Sequence, residues 1–396
     1  MVGGLINHAM MTARSSAMAG FPAAGMGAAM VDRIWHGGEW QTAHPLKIVH
    51  VGDFFFSLKK KAPTQFSVGG KLSNGLIRNG HHVINFPYRD VARSGGWFGS
   101  RKMGRHHLFR ALKEFVAFSA PDILLLGHGY MIPPFVIEEL RQQQPGMTVV
   151  QWNVDALFVE SNAKDFAARH QVVDASFIST AGPVVRQVVG EKGHVGYLPN
   201  PVDRSVERGQ AFALSYPEAD VFYSCGNPAR LRTICGRDWN MEEFCETLEE
   251  RLPPSVRFAY AGVRRQPYVS GAAYSLLLEQ TAMGLNISRR ADYYLYSSDR
   301  LAQMIGNGQL VFMERQTGFD RIFSDQEMAF FSSLDELVEL VSQYHKAPTL
   351  RKDAARAGWQ RYHALFNECA VADYIIGQTL GTLPEEAHAW RHLTNL

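Results

Sequence analysis

The run Tyr296-Ser-Ser-Asp-Arg-Leu-Ala-Gln-Met-Ile-Gly-Asn-Gly-Gln-Leu-Val-Phe312 decides how this chain is read. Ser297 and Ser298 are residue types that favour helix N-caps. A short helix is predicted from about Asp299 to Ile305; Gly306 and Gly308 end it, and Leu310 to Met313 reads as a buried strand. A helix start leaves backbone N–H groups unpaired and carries the positive end of the dipole, which suits a phosphate. Arg300 falls in the first turn, and Gln303 follows one turn later, within reach of a sugar hydroxyl. An ordinary capped helix in an α/β domain has the same signature, so the choice rests on the surrounding chain.

The same alternation continues on both sides. Towards the C-terminus, Met328 to Phe331 is a short strand. Ser333 with Glu336 makes a capping box for a helix to Tyr344, and Leu350 to Phe366 and Cys369 to Gly377 are closing helices. Towards the N-terminus, strands are predicted at Val221 to Cys225, Val256 to Ala261 and Gly284 to Ser288, with a helix from Met241 to Glu250. Two prolines in Tyr197-Leu-Pro-Asn-Pro-Val-Asp203 interrupt the pattern and suggest a domain boundary. Before it, Lys47 to Gly52, His82 to Phe86, Pro121 to Leu126, Thr148 to Trp152 and Asp174 to Ser179 read as strands. Helices over Lys71 to Asn79, Leu108 to Phe118, Pro134 to Gln143 and Gly182 to Val189 separate them. Strand–helix–strand order implies parallel pairing through right-handed crossovers. The expected fold is α/β, two doubly wound Rossmann-like domains facing a cleft. The segments expected are an N-terminal extension over 1–45, a first domain over 46–198, a second over 199–366 and a closing segment over 367–396.

The chain has 396 residues, 46% hydrophobic and 20% charged, with a net charge of +2. That is ample for two cores and carries no overall polyanion-binding charge. Cys225, Cys235, Cys245 and Cys369 lack CxxC spacing, so reduced thiols are expected rather than zinc ligands or disulfides. No run of about 18 apolar residues predicts a membrane span. A cytoplasmic location follows as the expectation, with peripheral contact on the inner face of the membrane as its extension.

Ligands in doubly wound sheets bind beyond the carboxyl ends of the strands. In the first half those positions hold Gly52, Asp53, the Ser67 to Gly70 loop with Gly69 and Gly70, His128 and Asp155. Asp155 is placed to take a proton from a hydroxyl nucleophile, and equally to cap a turn of helix before Ala156. His128, between two glycines, is either exposed at a strand end near an acceptor or an ordinary loop histidine. In the second half the positions hold Gly226, Asn227, Arg230, Arg232, Arg264, Arg265, Asn286 and Arg289. Ser297, Ser298, Asp299, Arg300 and Gln303 complete the set. Gly226 allows close backbone approach, and the arginines supply bidentate donors suited to a diphosphate.

Gly284-Leu-Asn-Ile-Ser-Arg289 through Ser298-Asp-Arg-Leu-Ala-Gln-Met-Ile-Gly-Asn-Gly308 resembles the nucleotide-sugar half of group 1 glycosyltransferases of GT-B fold, in the branch labelled CgeB-like. Glu314-Arg-Gln-Thr-Gly318, Phe330-Phe-Ser-Ser-Leu-Asp-Glu336 and Leu350-Arg-Lys-Asp-Ala-Ala-Arg-Ala-Gly358 continue the likeness, and Pro199-Asn-Pro-Val-Asp203 resembles the segment that opens the second domain. The resemblance implies transfer of a sugar from a nucleotide-activated donor, held on the second domain, to an acceptor hydroxyl held mostly on the first. The implied acceptor is a glycan, a lipid-linked glycan or a protein, in bacterial surface-glycan synthesis or protein glycosylation. The closing helix would cross back to the first domain.

Two departures stand out. Many relatives carry glutamate where Gln303 stands, and a second glutamate eight residues earlier, where this chain has Leu295. An Asp-x-Asp motif is also absent, so no metal and no cofactor beyond the donor is expected. Arg230, Arg300 and the helix dipole would meet the leaving-group charge.

Lys59-Lys-Lys61 and the stretch Arg101-Lys-Met-Gly-Arg-His-His107, with Arg110, Lys113, Trp97 and Phe98, make the first half locally basic. This is either a solvated face or a dock for an anionic membrane or a phosphorylated lipid-linked glycan. No nucleic-acid module is present. An NAD(P)-dependent oxidoreductase would need Gly-x-Gly-x-x-Gly after the first strand, and Gly52-Asp-Phe-Phe lacks it. A non-catalytic nucleotide- or sugar-binding relative is the remaining alternative.

Overall fold

A computed structural model describes residues 45–54, 67–384 and 387–393. The extension expected over 1–45 lies, but for its last residue, outside the described residues, as does Lys59-Lys-Lys61. The first half runs β1 (Lys47–Gly52), α1 (Val68–Arg78), β2 (His82–Pro87), α2 (Tyr88–Ser94), α3 (Arg105–Ser119), β3 (Ile123–Gly127), α4 (Pro134–Gln143), β4 (Thr148–Asn153), α5 (Glu160–His170), β5 (Ala175–Ile178), α6 (Pro183–Val189) and β6 (His194–Tyr197). Its strands form one sheet in the order β2-β1-β3-β4-β5-β6, parallel throughout. Every residue of β3 is buried, because helices cover both faces of a parallel sheet.

The second half runs β7 (Ala219–Ser224), β8 (Arg232–Ile234), β9 (Arg237–Trp239), α7 (Met241–Arg251), β10 (Phe258–Ala261), α8 (Ala272–Gln280), β11 (Thr281–Asn286), α9 (Arg300–Gly306), β12 (Leu310–Glu314), β13 (Ala329–Phe331), α10 (Leu334–Lys346), α11 (Pro348–Leu365) and α12 (Glu368–Leu380). Its main sheet has the order β10-β7-β11-β12-β13, also parallel. The structure adds elements the sequence reading passed over: α2, α5, α8, β6 and the antiparallel β8-β9 hairpin. All are short or polar enough that their apolar periodicity is weak.

Of the capping box expected at Ser333, the serine half forms: its Oγ accepts from the Glu336 N–H at 3.1 Å, whereas the Glu336 carboxylate accepts from the Ser332 N–H at 2.7 Å. The predicted caps at Ser297 and Ser298 do not form. Asp299 occupies the N-cap position in helical conformation, and no side chain caps α9. Ser297 is instead buried against Asn200 of the segment that opens the second half, and Ser298 Oγ accepts from Arg300.

Residues 44–396 make one compact unit, and three features tie its two sheets together. Helix α12 packs on α1, where Gly75 is required: a Cβ there would stand 2.0 Å from the Glu368 carbonyl oxygen. Arg78 pairs with both Asp203 at 2.8 Å and Glu368 at 2.5 Å. Loops from the carboxyl ends of both sheets meet directly, with the Ala181 N–H donating to the Tyr294 carbonyl at 2.9 Å.

Candidate functional site

At the carboxyl ends of the second sheet's strands, against the start of α1, lies a cavity of about 400 Å³. The first half contributes Ser67, the N-cap of α1, whose Oγ accepts from Gly70 N–H at 3.4 Å. The second half contributes Ser224, Gly226, Asp299, Arg300 and Gln303. Five residues singled out from the sequence, Ser67, Gly226, Asp299, Arg300 and Gln303, therefore line one cavity. Arg300 is partly committed there: its guanidinium donates to the carbonyls of Ser224 at 2.6 Å and Ile287 at 2.9 Å, and to Ser298 Oγ at 3.1 Å. This ties the ends of β7 and β11 to the start of α9. Gln303 donates to Asp299 Oδ2 at 2.7 Å, which fixes the amide at the cavity wall.

Arg230, Arg232 and Arg289 do not line the cavity; Arg232 adjoins it through Cys225, and the three guanidinium groups lie near one another. Their closeness shows in Arg289, whose guanidinium is pushed below its ordinary value by burial first and by the Arg230 and Arg232 charges after it. No carboxylate among the described residues pairs with any of the three, nor with Arg300. Arg289 lies 4.9 Å over the Phe158 ring of the first half. Arg232 is buried and donates to the Ile287 carbonyl and Cys225 Sγ; it supports the site and adds charge rather than facing it. Arg230 and Asn227 are exposed on the turn after β7. Like charges gathered without counter-charge carry a standing repulsion, which an anionic ligand relieves.

Several sequence candidates point elsewhere. Asn286 is buried, with its amide against Met313 Sδ at 3.8 Å and its Oδ1 unpartnered. Ser297 Oγ accepts from Asn200 at 3.1 Å. Arg264 turns away to Glu246 and Glu249.

On the first half, His128 and Asp155 are brought together at 3.1 Å between Nδ1 and Oδ2. Asp155 does not cap a helix, since α5 begins only at Glu160; its N–H donates to Asn153 Oδ1 at 2.7 Å. Burial pushes the Asp155 carboxyl up, but the hydrogen bond and charge of His128, with Arg89 and Arg169, outweigh it and hold it below its ordinary value. His128 adopts φ 54° and stands edge-on to Trp152 at 5.0 Å. Trp152 packs over Gly69 and Gly127, where added Cβ atoms would lie 3.3 and 2.3 Å from its ring.

Trp152 Nε1 donates to His50 Nε2 at 2.9 Å, so His50 carries its proton on Nδ1, 2.8 Å from Ser73 Oγ. The Ser73 hydroxyl passes its own to Asn85 Oδ1 at 2.7 Å. Burial lowers His50 to about 3, so this buried relay is neutral. Asp53 is held by Arg89 at 2.6 Å, and burial raises its carboxyl against the Arg89, His128 and Arg101 charges.

The sequence reading missed Lys71. It is fully buried, with Nζ 2.5 Å from Glu207, 3.6 Å from Asp299 and 3.1 Å from the Pro201 carbonyl. Burial works against its charge, but Asp299 and Glu207 outweigh it and raise its pKa. It joins the first turn of α1 to the cavity wall. Tyr268 and Tyr274, also on that wall, were missed too; the loop Gly262 to Gly271 follows a strand, which was the available signal. Among the described residues no group of acidic, His or Cys side chains is arranged to hold a metal.

Residues 232–376 match the family described as glycosyl transferase-like. Among solved structures, the chain is similar to sucrose-phosphate synthase from Thermosynechococcus elongatus, at 13% identity over 84% of this chain and 98% of that one, with a TM-score of 0.56. It is also similar to Anabaena HepE in complex with UDP-glucose, at 11% identity over 85% and 100%, TM-score 0.57. Trehalose-6-phosphate synthase OtsA matches at 10% identity over 86% and 100%, TM-score 0.55. Likenesses at these identities establish a common architecture of two parallel α/β sheets.

Proposed function

We propose that the chain is a sugar-transferring enzyme: residues 232–376 match the glycosyl transferase-like family, and the two-sheet architecture is shared with the solved structure of sucrose-phosphate synthase. The donor is a nucleotide-sugar lodged in the cavity at Gly226, Arg300 and Gln303, with its diphosphate turned to Arg230 and Arg289. The division of labour puts the acceptor on residues 46–198 and the donor on 199–366, with 367–396 returning to the first domain. One observation carries the reading: Arg230, Arg232 and Arg289 gather without a carboxylate partner among the described residues, on the same half as the residues that line most of the cavity, while the first half brings an imidazole and a carboxylate together.

In the transfer, the acceptor hydroxyl attacks the anomeric carbon, the bond to the diphosphate breaks, and the hydroxyl proton must leave. Asp155 is the base suggested by the sequence. The pair's geometry favours His128 Nε2 as the atom that takes the proton, because Nδ1 is turned to Asp155 Oδ2. Asp155 then holds the tautomer and stabilises the imidazolium. The nucleotide leaves as a dianion or trianion, met by guanidinium groups in place of a divalent ion. The acceptor class is a glycan, a lipid-linked glycan or a protein, in surface-glycan assembly or protein glycosylation.

The test is nucleotide release from a panel of nucleotide-sugars in the presence of EDTA, beside thermal shift with the free nucleotides. One donor is expected to respond. Arg289→Ala should raise its KM by about 10- to 100-fold, the worth of a charged hydrogen bond, with a smaller effect on kcat. No thermal shift and no release with any nucleotide or donor would defeat the proposal.

A further inference from the structure

We propose that the loop from Trp97 to Met103, with the start of α3, is a docking surface for an anionic phospholipid bilayer. Trp97–Gly99 forms one turn whose tip is apolar and outward: Trp97 is 75% exposed, Phe98 fully exposed and Met103 60%. Phe98 sits at φ 55°, a conformation that costs a bulky residue about 1 kcal/mol or more.

The base of the loop is nonetheless closely tied. Gly99 N–H donates to the Gly96 carbonyl at 3.0 Å and Gly104 N–H to Ser100 at 3.1 Å. Gly96 and Gly104 are packed so tightly that a Cβ on either would collide with backbone oxygen. The fold thus holds large apolar side chains out in water on a fixed support, which is the reverse of what burial favours.

The charge around the tip is one-sided. From Val91 to Lys113 there are six Lys and Arg and no Asp or Glu, in a chain of net charge +2. Arg93 pairs with Asp90, and Lys113 with Glu139. No carboxylate among the described residues pairs with Arg101, Lys102, Arg105 or Arg110. Three of these cations, with Tyr130, line a depression of about 480 Å³. Arg105 lies over Phe109, and Phe109 meets the half-exposed Phe135 edge-on. Cations beside Trp and Phe are what an interface of lipid phosphates and acyl chains takes.

A soluble polyanion would leave the apolar tip wet. A second copy in a twofold dimer would set the patch against itself, cation on cation. The depression also reaches the site: Tyr130 N–H donates to the His128 carbonyl, so a bilayer seated here would lie beside the imidazole. The inference goes beyond the transfer reaction and stands or falls without it.

The test is cosedimentation of the full chain with phosphatidylcholine vesicles, with and without phosphatidylglycerol, at fixed salt. The protein should pellet with the anionic vesicles only. Arg101→Gln/Lys102→Gln/Arg105→Gln should lower partitioning by about a hundredfold, roughly fivefold per cation. Trp97→Ser/Phe98→Ser should lower it more than about tenfold. The proposal is overturned if the protein stays in the supernatant with anionic vesicles, or if both variants pellet like the parent. A concentration-dependent dimer abolished by Phe98→Ser would give the face to a second copy. Binding to soluble polyphosphate without vesicle binding would give it to a free polyanion. Either result overturns the lipid assignment.

Discussion

Replacing Lys71 with Met tests whether the two halves are joined through a buried charge. Lys71 is fully buried and Glu207 is 4% exposed, and their atoms meet at 2.5 Å. Removing the ammonium strands a carboxylate with no water to solvate it, a change that costs about 3–5 kcal/mol when one partner of a buried pair is lost. Asp299, 3.6 Å from Nζ and more exposed, adds less. For a unit of about 350 residues, an unfolding entropy near 2.1 cal/mol/K per residue converts this to a fall in Tm of about 4–7 °C.

The double variant Lys71→Met/Glu207→Gln removes both charges and should recover at least about 1.5 kcal/mol of the loss, a coupling between touching residues. The pH dependence should carry the same signature. Burial pushes the Glu207 carboxyl up to about 7 against the opposing charge of Lys71. A carboxyl raised on folding binds its proton more tightly in the folded state. Stability it provides is complete below its unfolded pKa and lost as pH rises through the folded one. In Lys71→Met that opposing charge is gone, so the deficit should widen as pH rises from about 5 to 8. Scanning calorimetry of the parent, both single variants and the double variant across that range gives all four quantities. Additive losses, or a Lys71→Met protein melting within about 1 °C of the parent at every pH, would refute the reasoning.

Three further outcomes are expected. His128→Asn should cut kcat by about 10²- to 10⁴-fold, and Asp155→Asn by less, with thermal stability of both near the parent's; a larger loss in Asp155→Asn would return the base to Asp155. Gly75→Ala drives a Cβ to within 2.0 Å of the Glu368 oxygen and should destabilise by about 1–3 kcal/mol, read as a lower urea midpoint; an unchanged midpoint would mean that α12 shifts freely. The Asp203 carboxyl is raised by burial but held low overall by Arg78, Asn74 and Ser205. Its contribution is therefore present above its unfolded pKa near 3.8 and lost as pH falls through its folded value. Asp203→Asn should flatten acid unfolding below about pH 4, seen by circular dichroism, whereas an identical acid profile would remove Asp203 from that transition.

What the sequence by itself determined is local. Alternating apolar runs and amphipathic stretches, each closed by glycine or proline, prescribe parallel α/β sheets, because the periods of strand and helix are set by a residue's nearest neighbours along the chain. The same signals named the strand ends, and with them Gly226, Arg300 and Gln303, which line one cavity, and His128 and Asp155, which the fold brings within 3.1 Å of each other. Which way a polar side chain turns was decided only by tertiary structure. Arg232 and Arg289 stand at similar strand-end positions, yet one is buried on carbonyls and the other lies over Phe158. Ser297 has the residue type of a helix cap and instead meets Asn200, 97 positions away. Lys71 looks like a solvated helix residue, and becomes a buried bridge because Glu207 and Asp299 reach it from the far half. Such partners leave no trace in local spacing: the free energy that turns each side chain comes from a contact made only after the chain has closed on itself.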